Sequence, residues 1–172
     1  MNVEAIPFEK TGLLSPLIKA LLSNEPIVHP LIQLPASYEN LRIASASRPH
    51  SHSSRRQLVD VIRHQYSNLK PTASVELNLE KLEGQNSVTI TTGHQLCLLT
   101  GPMFSILKIA SVIHICEKLN EINRGISHVP IFWMASEDHD LEEINHVYAK
   151  NQKLEWETPL AGISGRLAVE GI

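Results

Sequence analysis

The spacing of apolar positions changes part-way along the chain. Up to about residue 86 they come in short bursts broken by Pro7, Pro16, Pro26, Pro30, Pro35, Pro49 and Pro71. Each proline ends or starts an element, because its ring fixes φ and removes a backbone donor. Leu58, Val61, Ile62 and Leu69 recur near helical spacing and predict a helix over 54–69. Val75, Leu79 and Leu82 step by four and three and predict a second over 73–82, stopped by Gly84. Residues 87–92 are dense in β-branched side chains and lead to Gly93, the pattern of a strand entering a tight turn. A long helix is predicted over 102–122, with Pro102 at its first position and Ile106, Ile109, Ile113, Cys116 and Leu119 in a stripe. Leu107, Ala110 and Val112 widen that stripe, so this helix needs cover on two sides. Residues 128–135 form the nearly continuous apolar run of a buried parallel strand, which Pro130 confines to an edge or a first position. Alternation over 153–157 predicts a third, shorter strand.

Strand, crossover helix and strand make one βαβ unit. The fold class is therefore α/β, and the loops after Thr92 and Ala135 are expected at the same carboxyl edge of the sheet, where open α/β sheets bind ligands. Two strands do not complete a doubly wound sheet. We divide the chain into an N-terminal helical region, 1–86, and the first part of a core, 87–172. The mixed apolar run over 162–172 makes the front portion of a longer enzyme the expected reading, with a complete small domain as its rival.

The first loop, Thr91-Thr-Gly-His-Gln-Leu-Cys-Leu-Leu-Thr-Gly-Pro102, places two glycines and a helix start after a strand. Its free N–H groups suit a phosphate or carboxylate. The spacing matches neither the dinucleotide fingerprint nor a phosphate loop. His94 serves either as a donor or acid or as a structural cap; Gln95 is placed to orient a substrate through its amide. Thr100 and Gly101 compete to cap the helix. Lys108 either reaches back to an anion at the helix mouth or snorkels to solvent. Cys97, among leucines and with no base at a diagnostic spacing, reads as a packed thiol before a nucleophile.

The second loop carries Glu137, Asp138, His139 and Asp140 consecutively beyond a buried strand. Four ionisable groups beside an apolar core require solvent, cations or one another. Asp140 as N-cap with Glu143 completes a capping box. Alternatively, if the helix starts one turn earlier, His139, Glu143 and His146 share one face and suit a divalent transition metal, or Asp138 or Asp140 holds magnesium that bridges nucleotide phosphates.

Composition narrows the function classes. Of 172 residues, 42% are apolar and 19% charged, with a net charge of -3, and the acidity lies in the second half. That balance gives no support to nucleic-acid binding, although Arg55, Arg56 and Arg63 form a small basic group, read as a solvated helix face. Cys97 and Cys116 in an apolar stretch point to reduced thiols in a cytoplasmic protein. The opening residues lack a signal segment, and no apolar run is long enough to span a membrane.

Thr92-Gly-His-Gln-Leu-Cys-Leu-Leu-Thr-Gly-Pro102, Lys108, Val129-Pro-Ile-Phe-Trp-Met-Ala-Ser-Glu-Asp-His-Asp140 and Glu143-Ile-Asn-His146 together resemble the bacillithiol biosynthesis cysteine-adding enzyme family, over about 87–147. The resemblance implies a Rossmann-like parallel sheet of the nucleotidyl-transferase type, here incomplete and preceded by the N-terminal helical region. It implies a ligase adding cysteine to glucosaminyl-malate in the last step of bacillithiol biosynthesis. The catalytic candidates are His94, Gln95, Asp138 and His139, which stand in the matching motif loops, although a proton-transfer role for His94 is not carried over from the family. Gly93, Thr100, Gly101, Lys108, Glu137 and Asp140 are the candidate substrate- or nucleotide-binding positions in the same motifs. The family more often carries glutamine where this chain has His94, so Gln95 is the firmer match. Kinship with synthetases suggests an adenylate route with ATP and Mg as cofactors, without establishing it. The expected partners are the small-molecule substrates, with no nucleic acid, no membrane, and homo-oligomerisation open. The rival readings are a nucleotide-binding transferase on another sugar or amino acid, and an inactive noncatalytic fragment.

Overall fold

The computed structural model describes residues 4–47 and 52–169. The chain divides into two compact units, with the division between Ile43 and Ala44. The first contains short 3-10 turns at Phe8–Lys10 and Pro26–Val28 and the helix α1, Pro16–Leu22, whose Ser15 hydroxyl caps it by accepting from the Ile18 N–H. Helix α2, Tyr38–Ser47, carries the chain across the division.

The second unit holds α3, His52–Gln65, and α4, Ala73–Glu83, followed by the predicted βαβ element. Helix α3 lies a little earlier than the pattern suggested, and Thr72 caps α4 through a bond from the Val75 N–H. Strand β1, Ser87–His94, pairs in parallel with β2, Ser127–Met134, and helix α5, Met103–Ile122, makes the crossover between them. Alternation along β2 sends its side chains to two layers. Val129 packs with Val59 of α3 and Leu82 of α4, with Ile62 and Ile131 against them, while His128 bonds to Asn120 of α5 on the other side. The fold is thus the expected α/β arrangement, with helices on both faces of a parallel pair.

Three expectations change. Pro102 stands immediately before α5 as its N-cap residue, with ψ of 150°, instead of occupying the first helical position. The buried stripe of α5 is Ser105, Val112, Cys116 and Leu119, and Ile106, Ile109 and Ile113 stay exposed because the two strands cover one side of the helix only. The third strand is real but separate: β3, His146–Ala149, and β4, Gln152–Glu155, form their own antiparallel hairpin, after the four-residue helix α6, Leu141–Ile144.

The basic group on α3 has a structural use. Arg55 donates to the Ser87 hydroxyl and carbonyl, both at 2.6 Å, and so ties α3 to the start of β1. Arg63 pairs with Glu76 of α4 at 3.1 Å. Among the described residues, no helix is long and apolar enough to cross a membrane.

Candidate functional site at the carboxyl edge

The two strands end level. Register runs without offset from Ser87 opposite Ser127 to His94 opposite Met134, and the Ala135 N–H closes the ladder on the His94 carbonyl at 3.0 Å. Both loops therefore leave the sheet at the same edge. Gly93 makes that possible, since a Cβ there would lie 2.7 Å from the Trp133 carbonyl oxygen. The first loop then tightens through a 3-10 turn, Leu98–Thr100, to Gly101, whose φ of 62° and contact with the Cys97 side chain leave no room for a Cβ. Neither Thr100 nor Gly101 caps α5; the side chain of Thr100 lies outside the described ones.

Gln95 joins the loops. Its amide nitrogen donates to Glu143 at 2.8 Å and to Asp138 at 3.2 Å. The other Asp138 oxygen accepts from the backbone N–H groups of His139, 2.7 Å, and Asp140, 3.1 Å. The Asp140 N–H, then that of His139, and then Gln95 hold the Asp138 carboxyl below the ordinary aspartate value, because each stabilises the ionised form. Behind it, the Ser164 N–H donates to the Asp138 carbonyl at 2.7 Å and the Gly165 N–H to the Ser136 carbonyl at 2.9 Å, so a late turn, Ser164–Arg166, fixes the second loop.

His94 and Cys97 form a second pair, with Nδ1 and Sγ 3.0 Å apart. The His94 ring lies 4.9 Å from that of Phe104, and Lys108 reaches back to donate to the Gly93 carbonyl at 3.3 Å with its ammonium 5.1 Å from the same Phe104 ring. Lys108 thus meets the strand end, not only solvent. Burial raises the Cys97 thiol pKa, and the Glu143 charge adds to this, while a contact with Ser105 opposes it. The thiol is held protonated, as a packed group. It borders a cleft of about 230 Å³ lined by Leu96, Leu98, Leu141, Ile144 and Trp156 among others.

The remaining predicted residues are less constrained. Glu137, His139 and Asp140 are exposed, and within the described residues their side chains make no hydrogen bond. The capping box does not form: Asp140 makes no side-chain cap bond, and Glu143 turns to Gln95 instead. Nor do His139, Glu143 and His146 share a helix face, because α6 spans only Leu141–Ile144 and His146 already belongs to β3. Among the described residues, no three histidine, cysteine or carboxylate side chains are grouped to hold a metal ion. Both Asp138 oxygens accept from N–H donors, Oδ2 from Gln95 and Oδ1 from the backbone of His139 and Asp140.

The model of the family described as "Bacillithiol biosynthesis BshC, N-terminal Rossmann-like domain" matches residues 1–170. The chain belongs to this family. A Flavobacterium psychrophilum protein named "Putative cysteine ligase BshC" is 38% identical over 175 residues, covering 100% of this chain and 33% of its own length. A protein of the same name from Cytophaga hutchinsonii is 39% identical over 171 residues, covering 99% of this chain and 33% of its own. A third, from Flavobacterium johnsoniae, is 35% identical with 100% of this chain and 33% of its own length covered. The chain spans about a third of the length of these curated relatives.

In this BshC-family domain, sequence reasoning missed two features. Glu143 looked like a helix-capping residue, and nothing in its local spacing signals a partner across the sheet edge. The His94 and Cys97 contact had a signal, the three-residue spacing in a tight loop, which the absence of a known motif obscured.

Proposed function

We propose that this chain is the N-terminal, Rossmann-like part of a ligase that joins the carboxyl group of cysteine to the amine of glucosaminyl-malate, completing bacillithiol. In this reading residues 1–86 form a helical region ahead of the core that begins at residue 87, and the protein works in the cytoplasm. Family membership and the names of the relatives support the class of reaction. The observation that carries the site is the Gln95 amide held between Asp138 and Glu143, which joins the two motif loops at one mouth.

The chemistry requires an amine nitrogen to attack an activated carboxyl carbon and to lose a proton. Asp138, held ionised by its N–H donors, is a weak base and suits the anchoring of a cation. His139 follows it directly, and an imidazole is the side chain suited to exchanging a proton near neutral pH. Gln95 orients the substrate. His94 and Lys108 line the helix side of the mouth, where Gly93 and Gly101 let the backbone turn closely and Thr100 belongs to the connecting turn. Glu137 and Asp140 supply negative charge at the rim. An activated acyl group must be kept from water, which a cleft closed over by further domains of the enzyme would provide.

The test uses the enzyme that contains this domain. Asp138→Asn and His139→Ala are each expected to lower product formation by about 10²-fold, the usual scale for losing one acid–base or electrostatic group. Unchanged turnover in both would remove these residues from the mechanism. Cysteine-dependent exchange of labelled pyrophosphate into ATP separates an adenylating ligase from a transferase acting on another sugar or amino acid.

A further inference from the structure

The Gln95 carboxamide has two ends, and the structure uses only one of them. Its nitrogen carries two hydrogens, and two carboxylates accept from it, Glu143 at 2.8 Å and Asp138 at 3.2 Å. Turning the amide over would set its oxygen against those carboxylates, an acceptor against acceptors, so one orientation is fixed. The donor capacity of the group is spent. Its oxygen, Oε1, accepts no hydrogen bond among the described residues. Glu143 is free for this contact because α6 makes no use of it as a cap.

We propose that Glu143 is a positioning residue: with Asp138 it locks the Gln95 carboxamide so that Oε1 is offered as an acceptor to the N–H donors of the amine substrate. This rests on the ligase reading above and refines it. A group that can only accept selects an amine over a carboxylate or phosphate, so this part of the first loop recognises the nucleophile and not the anion that its glycines suggested. Glu143 does not touch the substrate and acts through Gln95. The two carboxylates also favour an approaching ammonium electrostatically, and Glu143 is the more exposed of the pair.

The experiment uses the protein expressed from its whole coding sequence, with Glu143→Ala, Glu143→Gln and Glu143→Asp. In the unaltered protein the Gln95 side-chain amide, assigned by its loss in Gln95→Leu, is expected to give a resolved pair of proton–nitrogen signals that exchange slowly with water. In Glu143→Ala that pair moves toward the position of free glutamine. KM for the amine substrate rises about tenfold, the equivalent of one lost hydrogen bond of about 1.4 kcal/mol, while KM for cysteine and kcat change less than about twofold. Glu143→Asp and Glu143→Gln, each of which keeps an oxygen able to accept from Gln95, recover part of the amine KM. An unmoved Gln95 pair in Glu143→Ala, or a rise confined to the cysteine KM, overturns the inference. Titration with D-glucosamine, read on the same Gln95 signals, separates the two readings. A shift in the unaltered protein that Glu143→Ala abolishes, in an enzyme that forms no ligation product, removes the ligase reading and leaves the positioning role. Ligation without any such shift removes the positioning role alone.

Discussion

Gln95 and Glu143 stand 48 positions apart in sequence and share a hydrogen bond of 2.8 Å. The elements between them bring that about: the turn into α5, the crossover itself, and β2 returning in register beside β1. The contact is therefore a readout of the whole βαβ unit, and changes to the unit are expected to register there.

The tightest part of that unit is Gly93. In Gly93→Ala the new methyl group meets the Trp133 carbonyl at 2.7 Å, and backbone cannot move aside as a side chain can. A loss of about 1–3 kcal/mol is expected from overpacking. Urea unfolding measures it; a stability equal to the parent would mean that the strands do not approach as described.

Arg55 is expected to matter more than a surface cation. Arg55→Lys keeps the charge but cannot reproduce the fork that engages both the hydroxyl and the carbonyl of Ser87. The expected cost is about 1–3 kcal/mol, the range for hydrogen bonds to a charged group. Arg56→Lys, on the same helix and paired loosely at 4.0 Å with Glu83, serves as the control and should change stability by less than about 0.5 kcal/mol. Equal effects of the two would count against the tie.

His128 gives the domain an acid sensitivity. The ring is buried, with Nε2 3.0 Å from the Ser45 hydroxyl and Nδ1 3.2 Å from Asn120, and burial pushes its pKa below the ordinary 6.5. The folded state thus favours the neutral ring, while the unfolded chain takes up a proton at the ordinary value. The stability this confers is whole above pH 6.5 and declines as pH falls below it, down to the folded-state pKa. Melting temperatures measured from pH 7.5 to 5 should fall more steeply in the parent than in His128→Gln. Parallel curves would show that His128 does not titrate on unfolding.

The two thiols should differ in their chemistry. Cys116 is 2% exposed and its pKa is pushed up to about 11, chiefly by burial, whereas Cys97 is half-buried beside His94. With a thiol reagent at pH 8, Cys97 is expected to react slowly and Cys116 only on unfolding. Simultaneous loss of both thiols under native conditions would contradict this packing.

Much of this architecture was legible because it rests on local pattern. The β-branched run before Gly93, the apolar length of α5 and the buried run of β2 each report their own conformation, and parallel pairing follows from the crossover between them. The convergence of the two motif loops followed in turn from that topology. What was illegible depends on partners distant in sequence. Periodicity marked Ile106, Ile109 and Ile113 as apolar but could not say which side of α5 the strands would take. Asp140 and Glu143 had a capping spacing, yet a competing acceptor site for Gln95 decided the outcome. Arg55 resembled its neighbours Arg56 and Arg63 until the position of Ser87 distinguished it.

The level ending of β1 and β2 bears on how such a protein tolerates change over generations. Because His94 faces Met134 across the last rung, the mouth is set by strand register and is indifferent to the length of what lies between. Residues added near Arg124 and Gly125, in the connection from α5 to β2, would only lengthen a surface link. One residue added between Gly93 and Gln95 would swing the amide to the wrong face. Drift is thus expected to gather in that connection, while the short stretch around Gln95 keeps its count.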